Sequence, residues 1–148
     1  MPASRRVGRQ GRCYRCLYVW SVRGRANPSV CPRCKSRLWR VPKIKPVVLG
    51  NGLGVEEVVG DRRETLLRMA RRYGARKVWV FGSVRRREAR PDSDLDLLVD
   101  WKTVRHGGSA YRLASEARHL LGRRVQVASR HALAWYAAPR IVSEAIPL

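Results

Sequence analysis

Two aspartates separated by one apolar residue are the part of this chain best suited to chemistry. Asp94 and Asp96 flank Leu95, and ten residues separate them from Gly82 and Ser83, which end an apolar run. Alternate side chains of a strand share a face, so both carboxylates are expected to point the same way, about 6 to 7 Å apart. Such a pair can bind a divalent metal ion between its two carboxylates. A Gly-Ser turn offers backbone N–H groups and a hydroxyl group to a phosphate chain. The pattern predicts a site for metal-dependent phosphate transfer.

The alternative is a surface turn followed by an ordinary half-buried strand with polar outer residues. The neighbouring elements favour the functional site. Residues 77–81 are a short β-rich run that ends at the Gly-Ser turn, and the charged stretch 84–90 is expected to begin with one or two helical turns. Pro91 then breaks this stretch ahead of the strand that carries the aspartates. The predicted order is strand, phosphate turn, strand.

Helices and a further strand are expected around these elements. Asp61 and Glu64 form a capping-box pattern ahead of an amphipathic helix, and a second amphipathic helix follows the aspartate strand. Residues 124–128 alternate as a third strand, and the tail 132–148 is expected to be helical. The helices are expected to pack their apolar stripes on the sheet.

All four cysteines form two CxxC pairs. Cys13 and Cys16 are separated from Cys31 and Cys34 by fourteen residues. Each pair presents two thiolates from one tight turn, and two such turns supply the four soft ligands of tetrahedral zinc. A redox dithiol or a disulfide is the alternative. Because four cysteines leave no open coordination position, we expect a structural zinc whose binding contributes to the folding free energy of a small module.

The cysteine segment resembles zinc ribbons over roughly residues 10–42. Ribbons of this kind bind nucleic acid or contact proteins, and the sequence does not separate these uses. Tyr18, Trp20, Leu38 and Trp39 lie between and after the cysteine pairs. We expect most of them to form a miniature core; the alternative is that they stack on unpaired bases beside the arginines.

The chain is strongly basic, with a formal net charge of +21. Residues 1–50 contain 13 Lys or Arg and no acidic residue. Such a surface attracts polyanions, and nucleic acid is the leading candidate, although a solvated basic face is the alternative. No run of 18 or more apolar residues exists, and the start lacks the apolar segment of a signal peptide. We therefore expect a soluble cytoplasmic protein with no membrane partner.

Residues 56–148 resemble the minimal nucleotidyltransferases of the DNA polymerase beta superfamily, whose signature is Gly-Ser, ten residues, then Asp-x-Asp. The resemblance implies an α+β fold with a small mixed sheet and helices against one face. It implies magnesium, ATP or another nucleoside triphosphate, and transfer of a nucleotidyl group to a hydroxyl of a protein or RNA. By the same resemblance, Gly82, Ser83 and Arg86 would hold the nucleotide, while Asp94 and Asp96 would be catalytic and hold the magnesium.

The sequence departs from this family pattern at two positions. A third carboxylate is expected on the strand after the second helix, where this chain has Gln126. An amide oxygen can ligate magnesium, but it brings no negative charge and cannot act as a base. Arg87 stands where many relatives have glycine. We therefore expect nucleotide and metal binding to survive better than turnover.

The sequence thus predicts four segments and two competing functions. The segments are a basic tail (1–12), a zinc ribbon (13–42), a linker (43–55), in which residues 47–49 could form an edge strand, and a nucleotidyltransferase domain (56–148). The leading function is AMP transfer from ATP, and the resemblance implies an antitoxin role toward a HEPN-family protein. The alternative is a weak or inactive nucleotidyltransferase-fold module that binds nucleic acid or protein through the ribbon.

Overall fold

The chain divides into two units, residues 1–44 and residues 45–148. The computed structural model of the protein describes residues 9–22, 24, 26–103 and 108–148. Positions 1–8 of the predicted basic tail lie outside the described residues. In the described part of the chain, each helix is too short or too polar to span a lipid bilayer.

Two antiparallel strands, β1 (Gln10–Arg12) and β2 (Val19–Ser21), flank the first CxxC turn. Residues 10–12 therefore form one strand of a hairpin, whereas they were assigned to the basic tail from the sequence. Gly11 lies opposite Trp20, and a Cβ at position 11 would come within 2.4 Å of the indole ring. The indole packs directly on the backbone of β1, so glycine is required at this crossing.

The second unit consists of one sheet and short helices. Its elements in chain order are α1 (Val55–Val58), α2 (Arg63–Arg72), β3 (Ala75–Phe81), α3 (Gly82–Arg85), β4 (Leu95–Trp101), α4 (Ser109–Leu121), β5 (Val125–Ser129), α5 (Ala138–Glu144) and β6 (Ile146–Pro147). The strand order is β5-β4-β3-β6, in which β4 and β5 are parallel and the other pairs are antiparallel. This mixed sheet with helices confirms the predicted fold class.

The alternation of side chains in β4 fixes which residues face the core. Leu95, Leu97 and Val99 are fully buried and belong to the cluster that also contains the buried residues of α2 and α4. Each buried leucine contributes about 1.5–3 kcal/mol relative to an exposed one. Asp96 and Asp100 occupy the alternate positions and are only half-buried. The packing of β4 therefore holds the Asp96 side chain on the face opposite this core.

Two local predictions from the sequence are wrong. Asp61 and Glu64 do not cap a helix: a 3-10 turn precedes Arg63, where α2 begins, and the Asp61 side chain is 99% exposed. The tail 132–148 is not one helix, because α5 ends at Glu144 and β6 follows. β6 pairs with the outer edge of β3, so backbone groups at that edge outweigh the helical tendency of the tail.

The end of the predicted linker is bonded to the loop that follows α3. The backbone N–H groups of Gly50, Gly52 and Leu53 donate to the carbonyls of Arg86, Arg87 and Ala89, at 2.8, 2.6 and 2.8 Å. A Cβ at Gly52 would lie 2.7 Å from the carbonyl oxygen of Ala89, so only glycine permits this approach. Residues 47–49 form no strand. This contact supports the loop that joins the Gly-Ser turn to the aspartates.

Candidate active site

The two aspartates lie at the start of β4. Asp94 precedes the strand, and Asp96 lies opposite Phe81 of β3 and Gln126 of β5. Among the described residues, no hydrogen bond reaches the Asp96 carboxylate. Burial raises the pKa of Asp96, the negative charge of Asp94 raises it further, and Arg86 partly offsets this effect. Two carboxylates that repel one another in this way are a donor set that a divalent cation would neutralise, so magnesium fits the site.

The Gly-Ser turn lies directly against these carboxylates. Gly82 begins α3 with φ +74°, and a Cβ at this position would lie 2.2 Å from Oδ2 of Asp96. Glycine is therefore needed both for the left-handed backbone and for the close approach of the carboxylate. Ser83 follows and is half-buried. The structure brings together the two halves of the sequence pattern, which are separated by ten residues in the chain.

Gln126 lies where the family resemblance predicts the third carboxylate of the metal site. Its Nε2 donates to Oδ2 of Asp94 at 2.8 Å, and Nε of Arg124 donates to Oδ1 of the same residue at 2.9 Å. The position that would carry a third negative charge therefore donates a hydrogen bond instead. Asp100 does not supply the missing third carboxylate. It lies further along β4, where its Oδ1 is 2.9 Å from Nε2 of His131.

Arg87 has a backbone conformation that explains why glycine would suit its position. Its φ is +55°, in the left-handed region, where a non-glycine residue costs about 1–2 kcal/mol. The Arg87 side chain donates to Glu57 at 2.9 Å. N–H groups of the α1 backbone and of Gly54, together with Arg87, hold the pKa of Glu57 below its usual value. This ion pair fastens the loop to α1.

Glu144 is a site residue that the sequence prediction missed. Its carboxylate is buried, accepts a hydrogen bond from the Gly82 N–H at 3.2 Å and lies 3.2 Å from Nη1 of Arg86. The sequence feature that could have identified Glu144 is that it is the acidic residue within a mostly apolar segment, Ile141 to Leu148. The Gly82 amide, which was expected to bind phosphate, thus has a protein partner.

A cleft of about 330 Å³ opens on the β5 side of the aspartates. Asp94 and Gln126 form one wall, and Tyr111, Ser115 and Arg118 of α4 are part of its remaining lining. In the sheet, β4 lies between β5 and β3. The Gly-Ser turn follows β3, so it lies on the side of Asp94 and Asp96 opposite to β5. Asp94 thus borders an open cleft of small-molecule size on the side of the site away from the turn.

The four cysteines converge in the first unit. Their sulfur atoms all lie within 4.8 Å of one another, with Cys13 3.8 Å from Cys34 and Cys16 3.7 Å from Cys31. A tetrahedron with Zn–S bonds of about 2.3 Å has sulfur atoms about 3.8 Å apart. The cysteines are free of disulfides. The spacing fits one zinc ion.

The two CxxC turns have the same local geometry. In each, the residue four positions after the first cysteine donates to that cysteine's carbonyl, and these residues, Leu17 and Lys35, have φ of 62° and 59°. Burial acts to raise the pKa of the Cys31 thiol, but backbone N–H groups of Cys34 and Arg33 bring it down to about 7. These donors favour the thiolate of Cys31. At Cys16 the Tyr18 backbone acts to lower the pKa, but burial and hydrogen bonds with the other three thiols raise it to about 11.

Two of the four expected core residues cover the cysteine cluster. Trp39 is buried and meets the half-buried Trp20 edge to face at 5.0 Å. Leu38 is 57% exposed and Tyr18 is 38% exposed, so the prediction that most of the four would form a core holds only for the tryptophans. Arg33 lies over the Tyr18 ring at 5.8 Å.

Comparisons with known proteins agree with this geometry. Residues 62–148 match the model of the nucleotidyltransferase domain family. The protein adenylyltransferase MntA of Thermococcus cleftensis is 31% identical over 94 residues, covering 64% of this chain and 95% of that protein. A solved structure of a protein proposed to be a minimal nucleotidyltransferase is 43% identical, with a TM-score of 0.57 over 67% of this chain and 100% of that one.

A more distant structure shares the fold alone. It is a crystal structure of a toxin–antitoxin with AMP-PNP, 15% identical, with a TM-score of 0.52 over 57% of this chain and 69% of that one. Since the family model covers more than half of the chain, and the fold and the similar proteins agree with it, this chain belongs to the nucleotidyltransferase domain family, as a minimal nucleotidyltransferase of the DNA polymerase beta superfamily.

Proposed function

We propose that this protein transfers AMP from ATP to a hydroxyl group of a protein acceptor. The observation that carries the proposal is the contact between the Gly82 turn and the carboxylate of Asp96, with Asp94 beside it. This arrangement can hold a triphosphate against a metal-binding carboxylate pair. The similarity to a protein adenylyltransferase supports both AMP as the transferred group and a protein as the acceptor.

The proposed roles follow from the positions of the residues. Asp94 and Asp96 would hold magnesium, which, when bound, neutralises charge that develops on the phosphate oxygens. Ser83 and Arg86 would hold the triphosphate on the β3 side. The Gly82 N–H is bonded to Glu144, so the proposed role of Gly82 is to let the turn approach this site closely. The acceptor hydroxyl would enter from the cleft on the β5 side, which Asp94 borders.

The transfer forms one bond and breaks one. The acceptor oxygen bonds to the α-phosphorus of ATP. The bond between the α-phosphorus and the oxygen that bridges it to the β-phosphorus breaks, and pyrophosphate leaves with the bonding electrons. The hydroxyl proton passes to solvent, because the amide of Gln126 cannot accept it.

We also propose that the protein acts as an antitoxin. In this role the acceptor is a HEPN-family toxin, whose hydroxyl group is blocked by AMP. The support is the similarity of fold to a toxin–antitoxin crystallised with AMP-PNP and of sequence to MntA.

A weak or inactive transferase that binds nucleotide is the second candidate function. It is favoured by one observation, the hydrogen bond from the Gln126 amide to Asp94 at 2.8 Å. Residue 126 then supplies neither the third negative charge nor a base for the acceptor proton.

For the N-terminal unit we propose a structural zinc on the four cysteines and contact with nucleic acid. The sulfur spacing supports the zinc. The exposed Tyr18 ring beside Arg33 and the absence of acidic residues from positions 1–50 support contact with a polyanion.

Label transfer from ATP tests the leading proposal. The purified protein is incubated with magnesium and either the protein encoded next to it or RNA. With ATP labelled at the α-phosphate we expect a labelled protein acceptor, and with ATP labelled at the γ-phosphate we expect none, because pyrophosphate is the leaving group. An unlabelled acceptor in the presence of bound ATP would favour the inactive module, and labelled RNA would change the acceptor class.

Replacing Gln126 with aspartate is expected to raise kcat. The new carboxylate lies beside Asp94 and in register with Asp96, where it adds the missing negative charge to the metal site. A tenfold rise would correspond to about 1.4 kcal/mol of added transition-state stabilisation. Initial rates at saturating ATP and magnesium measure the effect. Gln126→Asn has the shape of the aspartate without its charge and should be no faster than wild type; equal rates for the two variants would contradict the prediction.

A further inference from the structure

Glu144 is an acidic side chain that the fold buries at the proposed transfer site. It ends α5, is 7% exposed, and is the one buried polar or charged residue in the described part of the chain. Removing a carboxylate from water costs free energy unless hydrogen-bond donors compensate for it. The donors that surround Glu144 therefore indicate which part of the protein depends on this residue.

The donors that the described residues provide to Glu144 come from residues 82–86. The Gly82 N–H lies 3.2 Å from Oε1, and Nη1 of Arg86 lies 3.4 Å from Oε1 and 3.2 Å from Oε2. The backbone carbonyl of Glu144 accepts a hydrogen bond from Nε of Arg85 at 2.9 Å. The end of α5 is thus bonded to the segment that carries the proposed triphosphate ligands.

Arg86 is held at two of its three side-chain nitrogen atoms. Nε donates to Glu88 at 2.8 Å, and Nη1 contacts Glu144. Two contacts fix the plane of a guanidinium group, and Nη2 donates to no acceptor among the described residues. The Glu88 side chain is 50% exposed, whereas that of Glu144 is 8% exposed. Glu144 is therefore the better-fixed of the two anchors.

We propose that Glu144 is a positioning residue, which fixes the guanidinium plane of Arg86 so that its remaining Nη2 edge meets the triphosphate. The inference rests on the proposed function and deepens it, because it names the group that orients the nucleotide-binding arginine. A purely structural ion pair would affect folding and would leave the ATP affinity of the folded protein unchanged.

The ATP affinity of Glu144→Gln tests the proposal. The amide keeps the size of the side chain and can still accept from the Gly82 N–H, but it loses the charge that anchors Arg86. Calorimetric titration with ATP and magnesium, without acceptor, should give a Kd about tenfold higher than wild type. The KM for ATP should rise by a similar factor, while kcat changes much less. Glu64→Gln, which removes an exposed carboxylate from Arg71, is the matched control and should bind ATP like wild type.

A double-mutant cycle separates positioning from a general effect on the fold. Arg86→Ala should weaken ATP binding, and adding Glu144→Gln to it should cause no further loss, because Glu144 acts through Arg86. Losses that multiply in the double variant would overturn the proposal. So would an unchanged Kd in folded Glu144→Gln.

Arg86→Lys keeps the proposal testable if Glu144→Gln fails to fold. A lysine ammonium retains the charge but lacks the planar fork that two carboxylates can orient. The ATP affinity of this variant should therefore fall nearly as far as that of Arg86→Ala, and wild-type affinity would overturn the proposal. Because these titrations contain no acceptor, a failure to label any acceptor would count against the proposed transfer and leave this result unaffected.

Discussion

Replacing Asp94 with asparagine is expected to abolish AMP transfer while the protein remains folded. The asparagine has the same shape, and its single side-chain oxygen can still accept from Arg124, while the Gln126 amide can turn to accept from the new NH2 group. The substitution removes one of two negative charges available to magnesium. We expect kcat to fall at least a hundredfold, which corresponds to about 2.7 kcal/mol of transition-state stabilisation. Label transfer from α-labelled ATP to the acceptor measures the loss.

Asp100→Asn is the matched control for this experiment. Asp100 lies on the same strand, β4, and on the same side of it as Asp96, but it pairs with His131 away from the Gly-Ser turn. We expect this variant to transfer AMP at close to the wild-type rate. Equal activity of Asp94→Asn and Asp100→Asn would show that the carboxylate at position 94 does not take part in the reaction.

Removing zinc is expected to unfold the N-terminal unit and to leave the second unit folded. Among the described residues of the first unit, the buried hydrophobic side chains are Cys13, Cys31 and Trp39, a core too small to fold without the metal. Structural zinc sites of this size contribute about 10–16 kcal/mol of apparent binding free energy. After treatment with a strong chelator, limited proteolysis should cut within residues 9–44 while the region 45–148 resists.

Metal analysis and one substitution provide the controls for the zinc prediction. The untreated protein should contain one zinc per chain, and Cys31→Ser should behave like the chelated protein because it removes a buried ligand. Substantially less than one zinc per chain, or equal protease resistance before and after chelation, would refute the assignment.

The central contact of the site could be predicted from the sequence because it depends on neighbouring elements. The apolar alternation of Leu95, Leu97 and Val99 identifies a strand with its carboxylate on the other face. β3 and β4 follow one another in the chain and pair antiparallel, which brings Gly82 beside Asp96. Local periodicity and a short connection were therefore sufficient.

The remaining features depend on contacts between distant residues, which no local pattern encodes. In the sequence, Glu144 is only an acidic residue in a predicted helix. The folded chain brings it to Gly82, which is 62 residues away. The pairing of β6 with the edge of β3 and the bonding of residues 50–53 to the loop after α3 have the same origin. In the cysteine segment, the spacing of the cysteines was informative, but it did not indicate that Leu38 is exposed while Trp39 is buried.

The bonds between Glu144 and the Gly-Ser segment also bear on the order in which the protein folds. They close a chain loop of 58 to 62 residues, and closure of long loops is entropically costly until local contacts have formed. β3 and β4 are close in sequence and can pair early, whereas Arg86 acquires its anchor only when α5 docks. On the proposed role of Glu144, a chain in which β3 and β4 have paired but α5 has not docked would therefore capture ATP poorly, and nucleotide capture would report that folding is complete.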